Sequence, residues 1–296
     1  MRRVILRLFP GLGLALWLLL GALPALALDS HTATVSTGKV HYVDSGPGTH
    51  PLVFIHGWAC NLSFWDGQLD AFGPGRRVIA LDLPGFGQSD APEAVYDMDL
   101  FIEAVLAVLD QAGVESAILV GHSMGYQISR LFALTHPERV AGLVIVDGAY
   151  LRAPEDPQAR AEWEQGLAEF TATFSAPGRD ESMDGFLEPL FVESTPESIR
   201  RKAVDTMKSS PAHAANSALS EFCRAKVWLN ESPLSIPVLA VYALSEDYPP
   251  DNKEYLLSLF PRMEFHLWEN VSHFLMMDRP GEFNALVAAF LLNNGL

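Results

Sequence analysis

The sequence predicts an α/β protein: a mostly parallel central sheet with helices on both faces, interrupted late in the fold by an inserted helical cap. Three observations predict it. Short unbroken apolar runs recur at 51–55 (PLVFI), 77–81 (RVIAL), 117–120 (AILV), 140–146 (VAGLVIV) and 238–241 (VLAV), as in strands buried on both faces. Segments with helical apolar spacing separate many of them, which calls for crossover connections and a parallel sheet. The alternation then lapses over 148–233, where helical pieces and many prolines replace strands.

Taken in order, the chain opens on three arginines (Arg2, Arg3, Arg7) ahead of an uncharged stretch running from Leu8 to Leu28. That is the layout of a signal peptide, and Ala25-Leu26-Ala27 supplies the small residues a signal peptidase accepts. Residues 1–27 are therefore expected to be a leader and the protein to be exported, periplasmic or secreted; left uncleaved, the same run is nearly long enough to anchor the chain in a membrane. Removing the three arginines would take the formal net charge from −16 to −19. So acidic a chain, with no basic cluster beyond the leader, makes nucleic acid and anionic lipid poor partners.

Residues 39–44 (KVHYVD) alternate as a half-exposed edge hairpin strand does, and 263–268 (MEFHLW) alternate again near the end. Helical periods cover 99–112, stopping at Gly113, then 124–135, stopping before Pro137, and 279–292. Within the interruption, 155–170 and 196–208 look helical. The organisation expected is a core of 28–147 and 234–296 with a helical cap of 148–233. Cys60 and Cys223 are the two cysteines; export would permit a disulfide, though nothing in the sequence brings them together. No metal-ligand spacing and no glycine-rich phosphate loop occurs, so neither metal nor cofactor is expected.

The chemistry concentrates at Gly121-His122-Ser123-Met124-Gly125. A buried strand runs into this turn and an apolar-periodic helix leaves it, the context of a nucleophile elbow. The glycines let strand and helix approach closely, and the helix N-terminus directs partial positive charge at the Ser123 hydroxyl.

With this motif in place the chain resembles the α/β-hydrolase superfamily from Val35 to the C-terminus. His56-Gly57-Trp58 follows a buried strand where that family has its oxyanion loop, Phe64-Trp65 resembles an aromatic pair found just downstream, and Asp82-Leu83-Pro84-Gly85-Phe86-Gly87-Gln88-Ser89 resembles a loop of the family in which Asp82 is structural. The resemblance implies backbone N–H donors at Trp58 and Met124 and a late general base, His273, in Asn270-Val271-Ser272-His273-Phe274. His41, His50 and His136 read as surface or edge residues, while His56 and His122 belong to motifs that depend on backbone more than imidazole.

The acid that would orient His273 departs from the family pattern. A Gly-x-x-Asp turn is expected after the strand that follows the cap, but this chain has Ala243-Leu244-Ser245-Glu246-Asp247-Tyr248-Pro249-Pro250. Asp247 and Glu246 are candidates there, and Asp147, directly after the 140–146 strand, is the other, since some members carry the acid at that place. A serine nucleophile excludes the aspartate chemistry of epoxide hydrolases and haloalkane dehalogenases. The resemblance then implies cleavage of a small carboxylic ester or lactone through an acyl-enzyme on Ser123. Alternatives are an aminopeptidase, with Glu162, Glu164 and Glu169 available for an amine, a C–C bond hydrolase, and a noncatalytic binding protein on the same scaffold. Trp58, Tyr126 and Phe274 are expected to line the substrate site, with the cap aromatics Trp163, Phe170, Phe186 and Phe191 as further candidates.

Overall fold

The computed structural model describes residues 28–296 apart from 176 and 230; the expected leader lies outside them. One sheet holds β1 (Asp29–Val35), β2 (Gly38–Ser45), β3 (Leu52–Ile55), β4 (Val78–Leu81), β5 (Ala117–His122), β6 (Val140–Val146), β7 (Val238–Ala243) and β8 (Met263–Trp268). Their order is β1-β2-β4-β3-β5-β6-β7-β8. From β4 through β8 the neighbours pair in parallel, while the β1–β2 hairpin joins antiparallel to β4. The fold class is the one the sequence predicts.

Every residue of β3, β4, β5 and β7 is buried, which is why those segments read as unbroken apolar runs. The alternation at 39–44 misleads. Residues 40–43 of β2 are all buried, because β1 takes the edge and β2 lies between it and β4. His41 is accordingly a buried residue and not a surface one, with its Nδ1 2.8 Å from Asp82 Oδ2. Asp82 also accepts from the Leu62 and Gln88 N–H groups at 2.8 and 2.9 Å, a structural role that ties three segments together.

The helices are α1 (Asp66–Phe72), α2 (Met98–Gln111), α3 (Met124–Thr135), α4 (Pro157–Ala172), α5 (Arg179–Leu187), α6 (Glu197–Ser209), α7 (Ala212–Phe222), α8 (Asn252–Leu259), α9 (Leu275–Asp278) and α10 (Pro280–Asn294). Asp97 starts α2 by accepting from the Leu100 N–H at 3.0 Å, an ordinary N-cap. Between β6 and β7 the described residues form helices and no strand. Two of these helices follow the periods read at 155–170 and 196–208. The other two, α5 and α7, lie outside those periods; α7 buries Ala214, Ala215, Ala218, Leu219 and Phe222 on one face. α4 buries only Thr171, and two of its glutamates pair along the exposed surface, Glu162 with Gln158 and Glu169 with Gln165; Glu162, Glu164 and Glu169 are not among the residues lining the cavity at Ser123.

The turn between β5 and α3 is tightly crowded. A Cβ at Gly121 would stand 2.4 Å from the Gly125 carbonyl oxygen, and one at Gly125 would stand 2.3 Å from that of Ile55. Neither obstacle is a side chain able to swing away. Gly121→Ala is therefore expected to destabilise the protein by about 1–3 kcal/mol through forced backbone shifts. Gly166, inside α4 with open space around it, is the control: Gly166→Ala is expected to raise Tm slightly. Thermal melts of the two variants check this, and equal Tm values would contradict it.

Candidate active site

The site lies where the parallel strands end, the place open α/β sheets use for ligands. Ser123 sits between β5 and α3 with φ 52° and ψ −117°, a strained conformation for a residue with a Cβ. Its N–H donates to the Val146 carbonyl at 3.0 Å, so the end of β6 holds the turn in place. One position further on, the Asp147 N–H donates to Val241 O at 2.8 Å, and Asp147 Oδ1 accepts from the Ala243 N–H at 2.9 Å. Asp147 has φ 41°, which an aspartate tolerates better than most residues. The carboxylate is thus aimed by the sheet itself.

Its other oxygen, Oδ2, lies 2.6 Å from His273 Nδ1. Asp147 is only 4 % exposed. The structure brings this aspartate to His273 and leaves the competing candidates apart: Glu246 and Asp247 are exposed in the turn after β7. The reason is local. Leu244 N–H donates to Trp268 O at 2.8 Å, so pairing with β8 continues past the end of β7, and Asp247 lines the cavity as an exposed residue.

That cavity encloses about 400 Å³ and is bounded by Ser123, His273, Trp58 and Met124 together with cap side chains. Met124 opens α3, so its N–H is one of the helix-terminal donors without an intrahelical acceptor. Gly57, the residue before Trp58, lies against the elbow; a Cβ there would be 3.1 Å from Ser123 Cβ. The Trp58 ring stacks edge-on against Phe174 and Phe186, each at 5.4 Å, and its Nε1 donates to Ala215 O of α7 at 2.7 Å.

Of the residues expected to meet substrate, Trp58 lines the cavity and Tyr126 and Phe274 do not. Phe274 is fully buried against Phe64 and Phe191, because the residue following His273 turns into the core. Tyr126 sits beneath Gly148 and beside Phe260. Phe170 and Phe186 do reach the cavity, whereas Trp163 and Phe191 are outside it. Sequence reasoning missed Tyr150, which lines the cavity and donates its hydroxyl to Asp147 Oδ1 at 3.3 Å. Burial and the nearby Asp147 charge push its phenol pKa up, keeping it a donor. Cys60 and Cys223 are both buried and unpaired; burial pushes the Cys223 thiol up to about 12, so it presents an uncharged wall to the cavity. Among the described residues no cluster could hold a metal ion, and no helix is long and apolar enough to cross a membrane.

Comparison with known proteins agrees with this architecture. The sequence profile of the alpha/beta hydrolase fold family matches residues 50–280, and the chain belongs to that family. It is similar to the 2-hydroxy-6-oxononadienedioate/2-hydroxy-6-oxononatrienedioate hydrolase of Paraburkholderia phymatum, with 30% identity over 86% of this chain and 91% of the relative. Among solved structures it resembles a thermophilic esterase from Thermogutta terrifontis at TM-score 0.77 and 22% identity, covering 90% of this chain and 99% of that one. It also resembles Est816, described as an N-acyl homoserine lactone degrading enzyme, at TM-score 0.74 and 26% identity, covering 88% and 100% of the two chains. The protein is a hydrolase of this fold.

Two histidines beside the site are buried and uncharged. Burial lowers the pKa of His56 and drives that of His122 well below the usual range, the latter helped by the charge of His273. Protons that the unfolded chain takes up below pH about 6.5 are refused by these groups in the folded state. Their contribution to stability is complete above that pH and is lost on acidification, by up to about 1.4 kcal/mol per pH unit for each. Between pH 7.5 and 5, Tm is therefore expected to fall more steeply in the wild type than in His122→Gln. Parallel Tm curves for the two would contradict the neutral assignment.

Proposed function

We propose that this protein hydrolyses carboxylic esters or lactones with an uncharged, apolar acyl group, through an acyl-enzyme on Ser123. The observation that carries the reading is the wall of the cavity. Ser123 and His273 open onto a space bounded by Phe170, Phe186, Phe222 and Leu219; among the described residues lining it there is no lysine or arginine, and the carboxylates are Asp147 and the exposed Asp247.

His273, oriented on Nδ1 by Asp147, takes the Ser123 proton as Oγ attacks the acyl carbon. The carbonyl oxygen becomes an oxyanion facing the N–H groups of Trp58 and Met124, donors of a kind worth about 3–4 kcal/mol each. Collapse breaks the bond to the alcohol, which leaves with the proton from His273. Water then gives a proton to the same imidazole, attacks the acyl-enzyme, and releases the acid and the free serine. The Tyr150 hydroxyl and the Ala243 N–H, both donating to Oδ1, hold Asp147 in place while the imidazolium exists. The leader-like residues 1–27 support an exported enzyme acting on esters met outside the cytoplasm.

A second reading is favoured by the relative from Paraburkholderia phymatum, a hydrolase of a dioate. C–C hydrolysis of a dicarboxylate would bury two charges. An unpaired charge in an apolar cavity costs several kcal/mol, and the described residues of this cavity include no lysine or arginine to pair with either. A neutral acyl chain carries no such cost.

A fluorophosphonate probe is expected to label Ser123 in the wild type and leave Ser123→Ala unlabelled; a folded wild type that resists the probe would overturn the enzymatic reading. Asp147→Asn is expected to lower kcat for an uncharged aryl ester by about 10³–10⁴-fold, and Asp247→Asn by less than about threefold, as suits an exposed residue. Greater kcat/KM for a dienedioate than for neutral esters and lactones would select the second reading.

A further inference from the structure

The elbow of this chain carries an imidazole that the mechanism above does not use. His122 ends β5 next to Ser123 and is 1 % exposed. Its Nε2 lies 2.9 Å from the main-chain oxygen of His273. A carbonyl only accepts, so Nε2 carries the proton and Nδ1 is bare. That bare nitrogen is buried with no hydrogen-bond partner. The ring is wedged among aromatic neighbours, with Trp65 at 6.4 Å, Phe274 at 5.5 Å and His273 itself at 4.6 Å between centroids. Gly57 closes the remaining side; a Cβ there would stand 3.0 Å from His122 Nδ1.

From this geometry we infer that His122 is a positioning residue: its Nε2–H clamps the His273 main chain to the nucleophile elbow and so sets the distance between base and nucleophile. The inference rests on the reading of Ser123 and His273 given above. A buried acceptor left unpaired costs about 1–3 kcal/mol, which an apolar residue at 122 would avoid. The group that an imidazole supplies here, and a leucine cannot, is the donor to His273 O.

The His273 peptide is held from two sides. Its N–H donates to Leu190 O of the cap at 2.8 Å, and its oxygen accepts from His122. Asp147 fixes the rotation of the imidazole, but a side-chain contact on Nδ1 leaves the ring free to move with its backbone. The His122 bond removes that freedom. It does so through the residue covalently joined to Ser123, so a displacement of the elbow carries the base with it. Because His122 remains neutral, the imidazolium formed during catalysis has no like charge beside it.

Three substitutions separate a donor from a space-filler. In glutamine the amide nitrogen lies as many bonds from the backbone as Nε2 of histidine, so His122→Gln restores the donor at the same reach. His122→Asn places its amide nitrogen nearer the backbone, where Nδ1 lies, and leaves His273 O without its bond. His122→Leu fills space with no donor at all. The expectation for hydrolysis of a neutral aryl ester is a loss of about 10–100-fold in kcat for the Leu and Asn variants, the range that a misplacement near 1 Å produces. KM should remain within about twofold, since His122 does not reach the cavity. His122→Gln should recover most of the rate. The second-order rate of fluorophosphonate labelling at Ser123 should follow the same order.

Far-ultraviolet circular dichroism and Tm identify variants that fail to fold, and the series is then read on Asn and Gln alone. A folded donorless variant with wild-type kcat would overturn the proposal. So would equal losses in Gln and its donorless counterpart, since packing would then be what matters. A wild type that does not label at Ser123 would instead remove the serine hydrolase reading beneath it, so the two failures are distinguishable.

Discussion

The hydrogen-bond ladder across the ends of β5, β6 and β7 is the constraint on which the site depends. Ser123 donates to the last residue of β6, and Asp147 donates across to β7 while its side chain accepts from that strand in return. Each such bond adds only about 1 kcal/mol to stability. Their larger effect is directional. Two residues with positive φ, Ser123 and Asp147, are held in strained backbone by neighbours already locked into the sheet. Strain of this kind persists only where the surroundings over-determine it. The crowding at Gly121 and Gly125 is the same constraint seen from beneath: strand and helix approach so closely that the intervening side chain has no direction left but outward.

The cap completes what the sheet begins. It supplies the carbonyl of Leu190 to the His273 N–H and the carbonyl of Ala215 to the Trp58 indole. Phe174 and Phe186 hold the Trp58 ring edge-on, a favoured arrangement for aromatic pairs. The loop bearing one expected oxyanion donor and the loop bearing the base are therefore both fastened to residues from 148–233. Without those residues the apolar cavity would lose most of its wall, and both loops would lose a partner.

The sequence makes the strands legible because burial on both faces leaves no polar alternation to confuse them; the run at 140–146 and the helix at 124–135 match the structure residue for residue. Legibility fails where a polar side chain is satisfied by something distant in sequence. His41 looks like an exposed residue until Asp82 is brought to it across 41 positions. Tyr150 is a mixed case: its hydroxyl partner Asp147 is close in sequence, but the rings that place it, Tyr242 and Tyr248, come from the far side of the cap. Phe274 has the right neighbour in the chain and the wrong direction in space, because a turn sends consecutive side chains to opposite sides. α5 and α7 escape notice for another reason: α5 buries only Met183 and Leu187, and the buried face of α7, Ala214, Ala215, Ala218, Leu219 and Phe222, is mostly alanine, a weak apolar signal.

Ambiguity over the acid has the same origin. The turn after β7 lacks the expected glycine, and read along the chain this looks like a defect in the site. In the sheet, β6 and β7 are adjacent and parallel, so the ends of both strands stand beside the loop of His273. A carboxylate on either strand can reach Nδ1, and the one on β6 gains the Ala243 N–H and the Tyr150 hydroxyl as further donors. The turn after β7 is thereby released from holding an acid. Its aspartate is an exposed lining residue of a cavity whose described wall has no lysine or arginine, in a chain of formal net charge −16. Near so negative a surface an anion is disfavoured before any contact is made. The position of the carboxylate on β6 and the apolar character of the cavity thus both fit the ligand proposed above, a neutral acyl compound.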